Sequence, residues 1–137
     1  MKIVSACLAG VKCRWDGEAR PCKKVIDMVE RGEAILVCPE QLGGLATPRI
    51  PVERKGEKVL GEDGSDFSAE FKEGAIEALK IANLVGCSEA ILKSKSPSCG
   101  CGKIYDGSFS GVLIEGDGVF AELLKKNGIK VLNEKEI

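Results

Sequence analysis

The chain has 137 residues, 44% hydrophobic and 30% charged, a balance that fills one core and solvates one surface and that excludes a fibre or a disordered tail. Lysine and arginine total 20 against 21 acidic residues, so no overall basic field exists to grip a nucleic-acid backbone. Histidine is absent, which removes Ser-His-Asp and Cys-His catalysis, histidine general bases and zinc sites that need imidazole.

In chain order, the apolar run at residues 2–6 predicts a strand. Cys22, Val25, Ile26 and Val29 follow at helical spacing and stop at Gly32, and a second strand is expected at 34–37. Residues 43–65 break the rhythm with Pro48, Pro51 and several glycines and charges, and read as a long irregular excursion of the kind that often carries function. Phe67, Phe71, Ala75, Ala78, Ala82 and Val85 make one helical stripe that ends at Gly86, a good residue just past a helix end. A strand at 90–93 comes next, then a turn signal at Asp106-Gly107 within a small hairpin, and a strand at 111–114. A third helix is expected to start from Asp117 as N-cap, to carry Val119, Phe120, Leu123 and Leu124, and to stop at Gly128 before a last strand at 129–132.

The five apolar runs are continuous rather than alternating, as strands covered on both faces are. Their alternation with helices predicts an α/β fold: one three-layer αβα sandwich over residues 1–137, with a mainly parallel, Rossmann-like sheet of about five strands. No segment approaches the ~20 apolar residues needed to span a bilayer. The opening residues carry a single lysine and no long apolar run, so a cytoplasmic location is expected, where thiols stay reduced and clustered cysteines signal metal or catalysis more than disulfides.

Seven cysteines must therefore do the soft chemistry. Cys7 closes the first strand, Cys38 closes the second, and Cys99 lies just past the strand at 90–93 in the turn Ser96-Pro97-Ser98-Cys99-Gly100. In an open parallel sheet all strand C-termini share one edge, so three thiols from three strand ends can converge there. Three thiolates at one point repel unless a cation holds them. Without histidine, such a trio suits an iron–sulfur cluster or zinc, with one coordination position left open for substrate. Cys22 and Cys87 read as structural, while Cys13 and Cys101 stand as alternates for a fourth ligand or a sulfur acceptor.

Glu40, two residues after Cys38, is the acid–base candidate; beside an anionic cluster its proton affinity is expected to rise. Ser96 and Ser98 are candidates for substrate contact or for shaping the turn around Pro97. Arg49, Lys93 and Lys95 are available to neutralise the site or to serve as surface cations. Two nucleotide or phosphate signatures fail. Six residues separate Cys7 from Arg14 where a thiol phosphatase loop needs five, and Tyr105 stands where the third glycine of a dinucleotide fingerprint would be.

Four stretches together resemble the thiouracil desulfidase family, long catalogued as a domain of unknown function. They are Ser5-Ala6-Cys7-Leu8 with Gly10, Cys13-Arg14 and Asp16-Gly17; Cys38-Pro39-Glu40 with Gly43-Gly44-Leu45 and Thr47-Pro48-Arg49; the run from Ala90 to Gly100; and the run from Ile104 to Gly111. The chain departs from the family pattern at Ala9 for leucine, Trp15 for tyrosine and Ala46 for proline. The resemblance implies a 4Fe-4S cluster on Cys7, Cys38 and Cys99, readily lost in air, whose fourth iron binds the thiocarbonyl sulfur of a thiobase. It further implies non-redox, hydrolytic release of hydrosulfide, with Glu40 activating water or moving protons and Ser96 or Ser98 orienting a small-molecule substrate. No nucleic-acid or membrane partner is expected. The competing expectation is an iron–sulfur or zinc protein with an electron-transfer, sulfur-carrier or structural role.

Overall fold

The computed structural model describes residues Met1–Ile137. Four strands form the main sheet: β1 (Lys2–Ser5), β2 (Ala34–Val37), β5 (Glu89–Leu92) and β8 (Lys130–Asn133), in the order β2-β1-β5-β8 and parallel throughout. Two antiparallel hairpins lie outside it, β3 (Val52–Lys55) with β4 (Lys58–Gly61), and β6 (Lys103–Tyr105) with β7 (Leu113–Glu115). The helices are α1 (Lys23–Glu30), the single turn α2 (Pro39–Leu42), α3 (Ser68–Leu84) and α4 (Val119–Lys126).

Neighbouring strand residues point to opposite layers, as the pleat requires. Ile3, Ala90 and Leu92 pack with Ala75, Ala78 and Ala82 of α3 and Phe120 and Leu124 of α4. Val4 and Ile91 pack on the other face with Val25 of α1. One helix covers one face and two cover the other, which makes the expected three-layer sandwich. Because the chain leaves β1 toward β2 and leaves β5 toward β8, its direction reverses between the adjacent strands β1 and β5. That switch point opens a crevice at the strand C-termini. No helix is long and apolar enough to cross a membrane.

Three expectations are corrected. The fifth apolar run pairs as β7 in a hairpin with β6 and leaves its residues exposed, so the main sheet has four strands rather than about five. Its shortness and the glycines on both sides let it leave the sandwich. The excursion at 43–65 is not wholly irregular: it contains the β3–β4 hairpin, whose turn at Gly56 takes φ +60°. Asp117 does not cap α4. Gly118 holds the N-cap position, and the first N–H groups of the helix donate instead to Pro97 and Ser98 carbonyls at 2.8–3.1 Å. The Asp117 carboxylate accepts from Gly102 N–H at 2.9 Å and pairs with Lys125. The stop glycines Gly32, Gly86 and Gly128 all adopt the left-handed conformation expected of helix ends.

Two backbone contacts seat the crevice loops. A Cβ at Gly74 of α3 would fall 1.8 Å from the Pro39 carbonyl oxygen, and one at Gly43 would fall 2.1 Å from that of Glu70, so α2 rests on α3 with no side chain between. A Cβ at Gly118 would lie 2.4 Å from the Ser98 carbonyl carbon, so the Ser96–Gly100 turn rests on the start of α4 in the same way. Gly74→Ala is expected to lift α2 and to destabilise the fold by about 1–3 kcal/mol, the usual cost of overpacking. Urea unfolding measures it, and an unchanged midpoint would show that α2 is free to shift.

Candidate active site

At the switch-point crevice a cavity of about 440 Å³ opens, within the ~300–1,000 Å³ of small-molecule and cofactor sites. Cys7, in the helical turn that follows β1, Cys38, at the start of α2 after β2, and Cys99, in the turn after β5, all line it. The three adjacent strands β2, β1 and β5 thus deliver one thiol each, as their parallel order dictates. Cys13 also lines the cavity and is 2% exposed; its carbonyl accepts the Cys38 thiol at 3.8 Å. Cys101 is not among the lining residues, since its thiol turns to the Val131 carbonyl at 3.5 Å. Cys22 and Cys87 pack against the two core clusters. All seven thiols are free.

The crowded thiols hold their protons. Cys13 is drawn down by its hydrogen bond with Cys38, but its hydrogen bond with Cys7 and its burial outweigh that and push it up to about 11. Cys38 is pushed far up, first by the hydrogen bond it shares with Cys13 and then by burial. Burial raises Cys99 to about 12 against the pull of hydrogen bonds from Ser5 and Ser98. Thiols in this state give up protons to a cation that replaces them. No three Cys, Asp or Glu side chains converge on one metal-sized point.

Glu40 enters the cavity from α2 and is not alone there. Its Oε1 accepts from Arg49 Nε at 3.1 Å, and the pair is nearly sealed from solvent, with the side chains 8% (Arg49) and 14% (Glu40) exposed. Its Oε2 accepts from Ser98 Oγ at 3.2 Å. The two serines have separate tasks. Ser96 Oγ accepts the N–H groups of Ser98 and Cys99 at 3.1 and 3.0 Å and so shapes the turn. Ser98, 1% exposed, reaches both Glu40 and the Cys99 sulfur, the latter at 3.6 Å. The two hydroxyls lie 3.2 Å apart, so Ser96, Ser98 and Glu40 form one hydrogen-bonded line.

The turn is tethered from below. Glu134, in the short helical turn after β8, accepts from Ser94 N–H and Oγ at 2.8 and 3.0 Å and pairs with Lys93 at 3.2 Å. Both Lys93 and Lys95 line the cavity; Lys93 is occupied by this ion pair, and Lys95 takes φ +67°. The remaining wall includes Arg14, Trp15, Arg20, Glu53 and Tyr105. Trp15 is 44% exposed, and its carbonyl accepts the Arg49 N–H at 2.8 Å. Arg14, Trp15 and Tyr105 fall in or beside the stretches that carry the family resemblance, whereas Arg20 and Glu53 have no local sequence signal. Glu53 belongs to the hairpin hidden in the excursion, and its carboxylate holds the N–H groups of Gly107 and Phe109.

Residues 3–136 match the family model described as 2-thiouracil desulfurase. Protein YbbK of Bacillus subtilis (strain 168) is 41% identical over 147 residues, which span all of this chain and 97% of that one. A solved structure described as the 4Fe-4S-dependent thiouracil desulfidase TudS superposes with a TM-score of 0.94 at 44% identity, covering 98% of this chain and 91% of its own.

Burial by itself would raise the Glu134 carboxyl, but the Ser94 N–H bond and the Lys93 ammonium outweigh it and hold the group below its ordinary 4.5. A lowered folded value means that the stabilisation is complete above the unfolded value and is lost as pH falls through the folded one. The stability gap between wild type and Glu134→Gln is therefore expected to be full at pH 7 and to close on acidification below about pH 4.5. Urea midpoints across that range read it; a gap independent of pH would remove the charge from the account.

Proposed function

Because the chain belongs to the 2-thiouracil desulfurase family, we propose that it is an iron–sulfur enzyme that exchanges the sulfur of a small thiobase such as thiouracil for oxygen. It acts as one domain over residues 1–137 in the reducing cytoplasm. The observation that carries this reading is the single cavity in which Cys7, Cys38 and Cys99 face the Glu40–Ser98 hydrogen bond.

Similarity to a 4Fe-4S-dependent desulfidase supports a cluster of that type. The donor set fits it: three soft thiols on three chain segments, free of disulfides and of competing imidazole. A single zinc ion would need its ligands gathered about one point, whereas cluster ligands each hold a different iron and need only line a common cavity. Cys7, Cys38 and Cys99 would hold the cluster. When bound by three cysteines, it supplies an iron with an open position, a Lewis acid for a thiocarbonyl sulfur.

The protein's own groups do the rest. Glu40, which lines the cavity, takes a proton from the attacking water, while Arg49 balances its charge. Ser98 fixes the base beside Cys99, and Ser96 holds the turn in register. Water oxygen becomes the carbonyl oxygen, sulfur leaves as hydrosulfide, the protons of water are shared between Glu40 and the products, and no electrons change hands. The second reading is an electron-transfer protein in which Cys13 closes the fourth position, favoured by the presence of its sulfur in the cavity.

Oxygen-free reconstitution followed by iron, sulfide and hydrosulfide assays tests both. Serine at Cys7, Cys38 or Cys99 is expected to abolish cluster assembly. Cys13→Ser is expected to keep about four irons per chain and full turnover. Glu40→Gln should keep the cluster and lose about 10²–10⁴-fold in kcat. A cluster that survives all three serine changes, or reversible reduction with no hydrosulfide formed from thiouracil, would overturn the desulfidase reading.

A further inference from the structure

Arg49 has no sequence neighbour that explains its burial. Its side chain is 8% exposed, yet each nitrogen of its guanidinium is engaged. Nε donates to Glu40 Oε1 at 3.1 Å, and Nη2 lies 3.1 Å from the same oxygen. Nη2 also donates to the Cys13 carbonyl at 2.9 Å, and Nη1 donates to the Ala46 carbonyl and Thr47 Oγ1, each at 3.0 Å. Its backbone N–H adds a bond to the Trp15 carbonyl at 2.8 Å. One planar fork therefore joins three separate segments: the loop after Cys7, the turn that begins at Cys38, and the start of the excursion.

The direction of Glu40 follows from this. α2 is one turn long, so it fixes where the glutamate begins and not where its carboxylate points. Oε1 is held by Arg49, and only then does Oε2 reach Ser98. The Cys13 carbonyl held by the same guanidinium is also the acceptor of the Cys38 thiol. A lysine in this place would keep the charge but lose the rigid fork that meets the carboxylate and three other acceptors at once.

We propose that Arg49 is the positioning residue of the desulfuration site: it aims the Glu40 carboxylate at Ser98 and the substrate, and acts on the reaction through Glu40 rather than by touching the thiobase. The inference rests on the desulfidase reading above. Its consequence is a loss in kcat with thiobase binding intact, and a loss that disappears once Glu40 has been neutralised.

The test is a kinetic cycle of wild type, Arg49→Ala, Glu40→Gln and the double variant, each reconstituted without oxygen and matched for iron and sulfide. Arg49→Ala is expected to lower kcat about 10²-fold, in the range of a lost acid–base contribution, with KM for thiouracil within about threefold of wild type. Guanidinium chloride added to Arg49→Ala should restore part of kcat and should do nothing for Glu40→Gln. The double variant should be no slower than Glu40→Gln alone, the non-additivity of two residues that act as one unit.

A raised KM at constant kcat would overturn the proposal by making Arg49 a substrate contact. A double variant slower than Glu40→Gln by the full Arg49 factor would overturn it by making Arg49 a general brace. Where Arg49→Ala fails to assemble, Arg49→Lys decides on the same kcat and KM split. Crystal structures of wild type and Arg49→Lys give a readout independent of turnover: a Glu40–Ser98 bond still 3.2 Å long in the variant refutes the proposal, whatever the activity. Wild-type protein that carries the cluster and leaves thiouracil untouched counts against the desulfidase reading alone, and the crystallographic comparison still judges Arg49.

Discussion

The missing side chain at Gly74 decides how near α2 can come to α3, and the arrangement of the crevice depends on that approach. With backbone on backbone, Pro39 and Gly43 sit directly against the long helix, and Cys38 and Glu40 inherit their depth from that seat. Across the cavity, Gly118 lets the Ser98 carbonyl rest against the start of α4. The turns that carry Glu40 and Ser98 therefore hang from the same helical layer. Helix packing thus sets where the two turns begin, and the side chains close the remaining distance between Glu40 and Ser98.

Sulfur crowding sets the second condition. Four thiols share one wall, and those of Cys13, Cys38 and Cys99 are all held in the protonated direction by burial and by one another. A polypeptide gains little by gathering such groups for packing alone, because each leaves a polarisable, poorly paired sulfur beside another. The gathering makes chemical sense when a cation replaces the protons. Several charged residues nearby are already committed to partners: Arg49 to Glu40, Lys93 to Glu134, and Arg14 and Arg20 to Asp16. They shape the walls, and Arg49 draws Cys13 down only as the smallest of the influences on that thiol.

The sandwich and the meeting of three cysteines were legible because both depend on period and order. Continuous apolar runs alternating with amphipathic ones specify parallel strands, and parallel strands bring their C-terminal residues to one edge. The run at 111–114 misled because apolar content alone does not say whether a strand joins the main sheet, and β7 finds its partner in β6. Asp117 misled for a related reason. A residue suited to capping was present, but the N–H groups it would have served were already bonded to the Ser96–Gly100 turn, a contact made across some twenty residues of chain. Glu40 was visible through its nearness to Cys38. The arginine that aims it was visible only as a cation, because the fork that binds Cys13, Ala46 and Glu40 is assembled by tertiary structure.

Trp15 is the chain's single tryptophan, and it stands half in solvent on the wall of the cavity. Its backbone is pinned by Arg49, so its indole cannot drift far from the sulfurs. The protein consequently carries its own optical gauge. All indole emission originates beside the site, and an iron–sulfur chromophore arriving there would drain that emission by energy transfer, with no background from a second tryptophan elsewhere in the fold.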